Sequence, residues 1–402
     1  MSAEVTSFAD VPEHPLALAQ TYGKAKAYLR THGIAATAAE AARRAARRAS
    51  MGDLPASVHV EISNVCNLHC EYCILDQGAQ GDRIMAEATF SALLPYLRNA
   101  SRVDVSGIAE PLMNARWPEI IGSIREAAPR AHIAMCSNAT LLTREKCETL
   151  VGSTLDELVF SLDGVNPALI DDIRRGGSLS SMLDNVRTLQ AVKRERDSST
   201  PEFNVTVVLQ RATVEQLPDI IRLAAELGVT SVAVNGLEPY SADVIDQPVW
   251  TDPAIAEYLP DILARTEQAA AETGVTVRLP WMQPLMPAIC PQIHRPMVLA
   301  DGAVVPCSVL TYERPSLLQV TKRGDIVRSD AVTPRLTFGS VKERSLKDIW
   351  TSDAYRTFRR EVSSGRFPPT CDTCLLKHGV ICPTPPLSFK ACLETIPQPG
   401  RA

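Results

Sequence analysis

The sequence lacks the features that would mark an exported, membrane-spanning or nucleic-acid-binding protein. Its first fifteen residues carry acidic side chains and no apolar stretch behind a basic start, so they do not form a secretory signal. No uninterrupted apolar run reaches the roughly 18 residues that cross a bilayer. A large excess of one charge is also missing, because 41 basic and 46 acidic side chains leave a net charge of only -5. We therefore expect a cytoplasmic protein with no membrane and no nucleic-acid partner.

Core-forming side chains and cysteines are abundant instead. The 402 residues are 45% hydrophobic, which is enough for two or three packed domains. Eleven cysteines, an odd number without an export signal, are typical of metal ligands and buried thiols and not of disulfides. Cys136 and Cys147 belong to no ligand-spaced pair and are predicted to be buried core thiols. The other nine fall into an N-terminal group of three and a C-terminal group of six.

Hydrophobic periodicity predicts an α/β fold. Residues 1–55 are rich in helix-forming side chains and predict an N-terminal helical extension. Over residues 56–240, short Val- and Ile-rich runs alternate with helical patterns, which predicts a parallel sheet with helices outside it. Six such units are fewer than the eight of a closed barrel, so we expect a partial (βα)6 TIM-like barrel with an open side. The predicted strands are Val58–Ile62, Val103–Ser106, His132–Met135, Leu155–Leu162, Phe203–Leu209 and Val229–Val234.

A smaller module is predicted to follow the barrel. Residues 241–288 are rich in proline and predict a linker with a helical insertion. In the module at residues 289–402, the runs Met297–Leu299 and Ala303–Val305 flank the turn Asp301-Gly302 and predict a hairpin. Leu346–Val362 predicts one helix. The tail beyond Gly365 has few core formers, so we expect metal to order it.

Cys66, Cys70 and Cys73 follow the first predicted strand, with three and then two residues between them. Three thiolates select iron-sulfur or zinc. A four-iron cubane takes four ligands, so three cysteines leave one iron open to an exogenous molecule. A zinc site with His69 as the fourth ligand is the alternative.

The Cys66-x3-Cys70-x2-Cys73 loop, with Tyr72 before its last cysteine, resembles the radical S-adenosylmethionine (SAM) superfamily. The resemblance implies a 4Fe-4S cluster whose open iron is chelated by SAM. One electron then cleaves SAM to methionine and a 5'-deoxyadenosyl radical, which removes a hydrogen atom from the substrate. It also implies an electron donor of the flavodoxin or ferredoxin type.

The resemblance continues at the carboxyl ends of later strands, where parallel sheets place their ligands. Gly107 and Glu110 are similar to the family segment Gly-Gly-Glu, which holds the SAM amino group, although Ile108 and Ala109 depart from that pattern. Asn138 falls at a position that the family uses near SAM. A plain turn residue is the alternative for Asn138.

Four more SAM contacts are implied by the same resemblance. Ser161 would contact the SAM ribose or carboxylate, and Arg174 would pair with the carboxylate through its planar fork. Asn235 would lie against the adenine, and Tyr72 would support the adenine through its backbone.

The C-terminal cysteines resemble a second family element. Cys290, Gly302 and Cys307, followed by Cys371-x2-Cys374, are similar to the SPASM and Twitch extensions, which hold auxiliary iron-sulfur clusters. A zinc site in a ribbon-like module is the alternative for the four distal cysteines. Beyond Cys374 the sequence departs from the full SPASM spacing, and six thiolates are too few for two complete clusters.

Two ligand allocations follow for one or two auxiliary clusters. In the first, a single Twitch-type cluster has the ligands Cys290, Cys307, Cys371 and Cys374, and two cysteines are spare. In the second, a distal cluster has the ligands Cys371, Cys374, Cys382 and Cys392, and a proximal cluster is incompletely ligated. His378 is a candidate for that vacancy.

Auxiliary clusters suit an oxidation, because a buried cluster can accept an electron from a substrate radical. Where the sulfatase-maturing branch has an Asp after the second cysteine of the hairpin element, this chain has Ser308. The residues before the first strand contain no hairpin pattern of the kind found in leader-binding winged-helix units. Both features favour an oxidoreductase acting on a small polar metabolite such as a sugar, aminocyclitol or nucleoside. A maturase of a ribosomal peptide is the alternative, and a non-catalytic iron-sulfur or zinc protein is the third reading.

Overall fold

The computed structural model describes residues 53–77, 83–285, 288, 290, 292–381, 389 and 392. The expected helical extension therefore lies outside the described residues, apart from its last three. The described strands are β1 (Ser57–Val60), β2 (His69–Cys70), β3 (Arg102–Asp104), β4 (His132–Ser137), β5 (Glu157–Ser161), β6 (Arg174–Arg175), β7 (Glu202–Leu209), β8 (Ser231–Gly236), β9 (Thr276–Arg278), β10 (Met297–Val298), β11 (Val304–Val305), β12 (Arg314–Val320) and β13 (Ile326–Thr333).

The described α-helices pack mainly against the outside of the sheet. They are α1 (Glu87–Leu93), α2 (Trp117–Ala127), α3 (Arg144–Gly152), α4 (Pro167–Ile173), α5 (Leu179–Glu195), α6 (Leu217–Glu226), α7 (Pro253–Thr273), α8 (Leu346–Trp350) and α9 (Asp353–Ser363). Short 3-10 turns occur at Ile74–Gln77, Leu94–Tyr96, Pro111–Met113, Val214–Gln216, Ala242–Val244, Val249–Thr251, Ser308–Leu310, Pro369–Cys371 and Leu376–His378. Among the described helices, none combines the length and the apolar character that a membrane span requires.

One nine-stranded sheet forms the centre of the fold, in the order β11-β10-β1-β3-β4-β5-β7-β8-β9. Neighbouring strands are parallel from β10 through β9, whereas β11 runs antiparallel to β10. The two edge strands of this order, β11 and β9, do not pair with each other in the described structure. The predicted α/β fold with a partial, unclosed barrel is confirmed, and each predicted strand overlaps one of the six central strands.

The sheet has an apolar outer face and a polar inner face because side chains alternate along each strand. In β7 the residues at 203, 205, 207 and 209 are buried in the main hydrophobic core, and the intervening residues are half-buried or exposed. The corresponding inner-face positions of six strands carry His59, Asp104, Cys136, Ser161, Thr206 and Asn235. The inner face of the sheet is therefore lined with side chains that suit a polar ligand.

The predicted hairpin is present as β10 and β11, and Gly302 adopts a φ of +89° at its turn. The hairpin extends the central sheet, because Met297 of β10 pairs with His59 of β1. Helix α7 is the helical insertion predicted between the two modules. It ends at Thr273, and Gly274 caps it with a φ of +75°. Strand β9 and the β12–β13 hairpin had no counterpart among the predicted elements.

The prediction of one helix over Leu346–Val362 is wrong, since the structure has α8 and α9 there. Ser352 separates them in an extended conformation, with ψ at 148°. Its side chain accepts a hydrogen bond from the Tyr355 N–H at 3.4 Å and caps α9. A serine that can satisfy a helix N-terminus favours a new helix start over continuation of the old one.

Gly236, the last residue of β8, is in close contact with residues 380 and 381 of the C-terminal module. Its N–H donates to the Ile381 carbonyl oxygen at 2.7 Å. A Cβ added to Gly236 would lie 2.1 Å from the Val380 carbonyl oxygen. We expect Gly236→Ala to lower the free energy of unfolding by about 1–3 kcal/mol, because the backbone must move to admit the methyl group. Denaturant unfolding measures this change.

Gly122 provides the matched control for this substitution. It lies inside α2, and nothing is within 4 Å of an added Cβ. Gly122→Ala should therefore raise the free energy of unfolding by about 0.5–1 kcal/mol through helix propensity. Equal effects at the two glycines would contradict the close contact at Gly236.

Candidate active site

Cys66, Cys70 and Cys73 lie on the loop that leaves the carboxyl end of β1. The Leu68 N–H donates to Cys66 Sγ at 3.5 Å, and the Cys73 N–H donates to the Cys70 carbonyl oxygen at 2.9 Å. All three cysteines are half-buried. Burial raises the pKa of the Cys66 and Cys70 thiols. The loop thus presents three thiols at the mouth of the partial barrel.

Arg174 lies directly across from Cys70, because β6 pairs antiparallel with β2. Its Nη1 donates to the Ser161 carbonyl oxygen and lies 3.8 Å from Asp163 Oδ2. The guanidinium also hydrogen-bonds the Cys70 thiol. Its Nε is buried and has no hydrogen-bond partner among the described residues. Arg174 therefore brings a positive charge to the cysteine loop and keeps one donor for a ligand.

Asn138 contacts the same loop from the end of β4. Its Nδ2 donates to Asn67 Oδ1 at 3.0 Å and approaches Cys66 Sγ at 3.8 Å. The Asn67 amide in turn donates to Thr140 Oγ1 at 2.8 Å. Asn138 and Arg174 both line a cavity of about 260 Å³ beside the loop. Two of the predicted SAM-contacting residues are therefore brought together next to Cys66.

Glu110 is buried, with 1% of its surface exposed. Its carboxylate accepts hydrogen bonds from the Leu112 N–H at 3.1 Å, Ser137 Oγ at 2.8 Å and the Asn138 N–H at 2.8 Å. Burial raises the pKa of Glu110, and these donors oppose the rise. In this structure Glu110 fixes the turn that carries Asn138, and its contact with the SAM amino group stays a prediction.

Gly107 packs against a buried carboxylate that sequence reasoning passed over. A Cβ on Gly107 would lie 2.4 Å from Glu61 Cγ. Glu61 accepts hydrogen bonds from the Tyr312 hydroxyl at 3.0 Å and the Ala300 N–H at 3.1 Å, and also from the Ile108 N–H. Glu61 thereby joins β1, the Gly107 segment and the C-terminal hairpin.

Tyr72 is anchored by Asp163, for which the sequence predicted no role. Its hydroxyl donates to Asp163 Oδ2 at 2.5 Å, and the Val208 N–H donates to Asp163 Oδ1 at 2.8 Å. Asp163 is 1% exposed. It links the cysteine loop to the ends of β5 and β7. An Asp-Gly pair directly after a strand was the available signal for Asp163.

Ser161 and Asn235 lie on the inner face of the sheet, at the carboxyl ends of their strands. The Ser161 hydroxyl lies 4.0 Å from Cys136 Sγ, and the Asn235 amide donates to Thr206 Oγ1 at 2.7 Å. Burial raises the pKa of Cys136 to about 11. Cys136 is half-buried beside Ser161, whereas Cys147 is fully buried in the core.

Four of the C-terminal cysteines line one cavity of about 440 Å³. They are Cys290, Cys307, Cys371 and Cys374. Most of the other lining residues are apolar, among them Ile293, Leu310 and Phe358. Burial raises the pKa of the Cys290 and Cys371 thiols to about 12. Thiolates in such surroundings need a bound cation, and four thiolates in one apolar pocket are a donor set that suits an iron-sulfur cluster.

Two other candidate ligands, Cys392 and His378, do not line this cavity. Cys392 is fully buried in the main hydrophobic core, and Cys382 lies outside the described residues. His378 Nδ1 hydrogen-bonds the Leu285 carbonyl oxygen at 3.1 Å. The Ser308 hydroxyl donates to Gln292 Oε1 at 3.2 Å. No three His, Cys, Asp or Glu side chains of the described regions gather around a single-ion site, whereas a four-iron cluster takes each thiolate on a separate iron.

Comparison with known protein families identifies two domains. The model of the radical SAM superfamily matches residues 60–224, and the model of the SPASM iron-sulfur cluster-binding domain matches residues 290–375. The first match begins at the end of β1 and includes Cys66, Cys70 and Cys73. The second includes all four cysteines that line the C-terminal cavity.

Two relatives are similar over most of their length. The chain is 26% identical to the tungsten-containing aldehyde ferredoxin oxidoreductase cofactor-modifying protein of Pyrococcus furiosus, over 80% of this chain and 88% of that protein. It is 23% identical to the PqqA peptide cyclase of Streptomyces rochei, over 81% of this chain and 83% of that protein.

A solved structure agrees with the fold. Streptococcus suis SuiB bound to S-adenosylmethionine superimposes with a TM-score of 0.56, at 14% identity, over 86% of this chain and 79% of SuiB. This likeness concerns the arrangement of the α/β sheet and the C-terminal region.

Proposed function

We propose that this chain, which belongs to the radical SAM superfamily and carries a C-terminal SPASM domain, matures a ribosomally made peptide. It is a radical SAM enzyme whose cofactors are a SAM-binding 4Fe-4S cluster, SAM and auxiliary clusters. The observation that carries the peptide substrate is the match to a peptide cyclase over 81% of this chain. The sequence favours a small sugar-like metabolite as the substrate. This proposal is the weaker one, because neither the cofactor-modifying protein nor the peptide cyclase is named for an activity on such a metabolite.

Different residues of the cysteine loop and its surroundings would hold the cluster and SAM. We assign the cluster to Cys66, Cys70 and Cys73, at the mouth of the barrel domain at residues 56–240. When bound, the cluster supplies the electron that splits SAM into methionine and the 5'-deoxyadenosyl radical. The unpartnered Nε of Arg174 is placed to bind an anionic group such as a carboxylate.

Several neighbours orient these groups. Asn138, which is fixed by Glu110, holds the loop at Cys66, and Asp163 holds it at Tyr72. Direct contacts of Tyr72, Gly107, Glu110, Ser161 and Asn235 with SAM are part of this proposal.

We assign one auxiliary cluster to Cys290, Cys307, Cys371 and Cys374 in the domain at residues 289–402. Their shared cavity supports the first of the two ligand allocations, and the burial of Cys392 in the main core argues against the second. A buried cluster at this place would accept the electron released when a substrate radical is oxidised, which makes the reaction an oxidation. A flavodoxin- or ferredoxin-type protein would supply the electron that starts each turnover.

A second candidate function is the modification of a small organic cofactor. It is favoured by the 26% identity to a cofactor-modifying protein, which extends over 88% of that protein. The open, polar inner face of the sheet suits either a peptide side chain or a compact polar ligand.

Deuterium transfer separates the two candidates. Reconstituted enzyme, SAM and reductant are incubated with a deuterated precursor peptide encoded beside the gene, or with a deuterated cofactor. We expect deuterium in 5'-deoxyadenosine and a mass change in the peptide. Deuterium arriving from the small cofactor alone would reject the maturase and support the second candidate.

A further inference from the structure

Three buried hydrogen-bond donors lie in the region of the C-terminal cysteine cavity. The Arg314 Nε and the Tyr355 hydroxyl have no hydrogen-bond partner among the described residues, and the Thr370 hydroxyl reaches only the Cys371 thiol. Burying a donor without a nitrogen or oxygen acceptor is unfavourable, so three such groups in one region call for an explanation. These three groups are the donor set.

Arg314 pairs with Thr333 in the β12–β13 hairpin, and the Thr333 hydroxyl lies 2.8 Å from that of Thr373, the residue before Cys374. Arg314 is 3% exposed, and its two terminal nitrogens lie 3.3 and 3.4 Å from the Glu238 carboxylate. The Tyr240 hydroxyl donates to the same carboxylate at 2.8 Å, and the Tyr240 ring lies 4.5 Å from the guanidinium carbon. Although burial opposes it, the charges of Glu238, Tyr240 and Cys374 raise the pKa of Arg314. The guanidinium is thus held rigidly, with only its Nε uncommitted.

Tyr355 reaches the cavity through Phe358, a lining residue whose ring centroid is 6.5 Å from that of Tyr355. Tyr355 is fully buried against the Phe338 ring, with the two ring centroids 4.1 Å apart. Burial, together with the charges of Cys307 and Cys290, raises the pKa of Tyr355. Thr370 lines the cavity directly and precedes Cys371 in the chain. The Thr370 hydroxyl hydrogen-bonds the Cys371 thiol, whereas the Tyr355 hydroxyl has no hydrogen-bond partner among the described residues.

We infer that the donor set hydrogen-bonds the sulfur atoms of the auxiliary cluster, its cysteine thiolates included, and thereby raises the reduction potential of that cluster. The inference rests on the proposed assignment of one cluster to Cys290, Cys307, Cys371 and Cys374. Hydrogen bonds to cluster sulfurs favour the reduced state, because that state carries one more negative charge. The donor set therefore makes the cluster a better acceptor for the substrate's electron. Arg314, Tyr355 and Thr370 are positioning residues in this scheme.

Three variants test the inference in the full-length protein: Arg314→Lys, Tyr355→Phe and Thr370→Val. Each is made in a Cys66/Cys70/Cys73→Ala parent, so that only the auxiliary cluster gives a signal. The midpoint potential is measured by redox titration with electron paramagnetic resonance. We expect each substitution to lower the equilibrium constant for reduction of the cluster about tenfold. For one electron this lowers the midpoint potential by about 59 mV.

Thr266→Val is the matched control, because Thr266 is fully buried and its hydroxyl donates to the Ile262 carbonyl oxygen in α7. Its potential should equal that of the parent. Unchanged potentials in all three donor variants, with iron content intact, would overturn the inference and leave the cluster assignment standing. A parent without any auxiliary cluster would overturn the proposed assignment itself, and that result is visible before any donor variant is made.

Discussion

Alanine at Cys66, Cys70 or Cys73 is expected to abolish the release of 5'-deoxyadenosine from SAM and reductant. In the proposed assignment each cysteine supplies one of three thiolates to the cluster, and a cluster that loses one of these ligands has no replacement thiol within the loop. Cys136, another thiol on the inner face of the sheet, is held beside Ser161. Chromatography of 5'-deoxyadenosine after anaerobic reconstitution measures the loss against a no-enzyme blank.

Cys147→Ala is the control for these three variants. Cys147 is fully buried in α3, and its thiol contacts the Asn185 carbonyl oxygen at 4.0 Å, so it belongs to the core. The variant should cost about 1 kcal/mol of stability and leave 5'-deoxyadenosine release intact. Release that persists in all three loop variants would remove the cluster from Cys66, Cys70 and Cys73.

The central sheet could be predicted because its strands are local patterns. In β7, four apolar residues alternate with polar ones, and this alternation is visible without any knowledge of the fold. Strand β9 has only three residues, Thr276–Arg278, and none of them is fully buried, so no local pattern identifies it. The β12–β13 hairpin is similarly half-exposed along much of its second strand, where Val332 is 58% exposed.

The site divides in the same way between local and long-range information. Cysteine spacing is local, and it singled out the group of Cys66, Cys70 and Cys73. For the C-terminal cysteines it left two allocations open, and only the fold brings four of them to one cavity. The contact of Tyr72 with Asp163 joins residues 91 positions apart, and that of Asn138 with Asn67 joins residues 71 apart. Such pairs follow only from the strand order, since the ends of β1, β4 and β5 must first lie along one edge of the sheet.

Glu61 illustrates a buried carboxylate that sequence reasoning could not interpret. Its position directly after β1 suggests an inward-facing polar residue and nothing more. Its partners, Tyr312 and Ala300, come from about 240–250 positions later, after the hairpin has joined the sheet beside β1. The C-terminal hairpin therefore contributes to the polar interior of the sheet, through the hydrogen bonds of Tyr312 and Ala300 to Glu61.

Iron content distinguishes the two allocations of the C-terminal cysteines. The Cys66/Cys70/Cys73→Ala parent should hold about four irons per chain, because the cavity offers four thiolates to one cluster. Adding Cys374→Ser should remove most of that iron, since a hard hydroxyl is a poor substitute for a soft thiolate in an apolar pocket. Iron and acid-labile sulfide assays, with the 400 nm absorbance, measure the change.

Cys392→Ala should keep the four irons of the parent, because Cys392 packs in the main hydrophobic core and not in the cavity. Its cost should appear in the free energy of unfolding. About eight irons in the parent, or iron lost with Cys392, would instead establish a distal cluster that includes Cys392. The substrate's electron would then have a second acceptor beyond the four-cysteine cavity, and the potential set by Arg314, Tyr355 and Thr370 would govern only the first transfer.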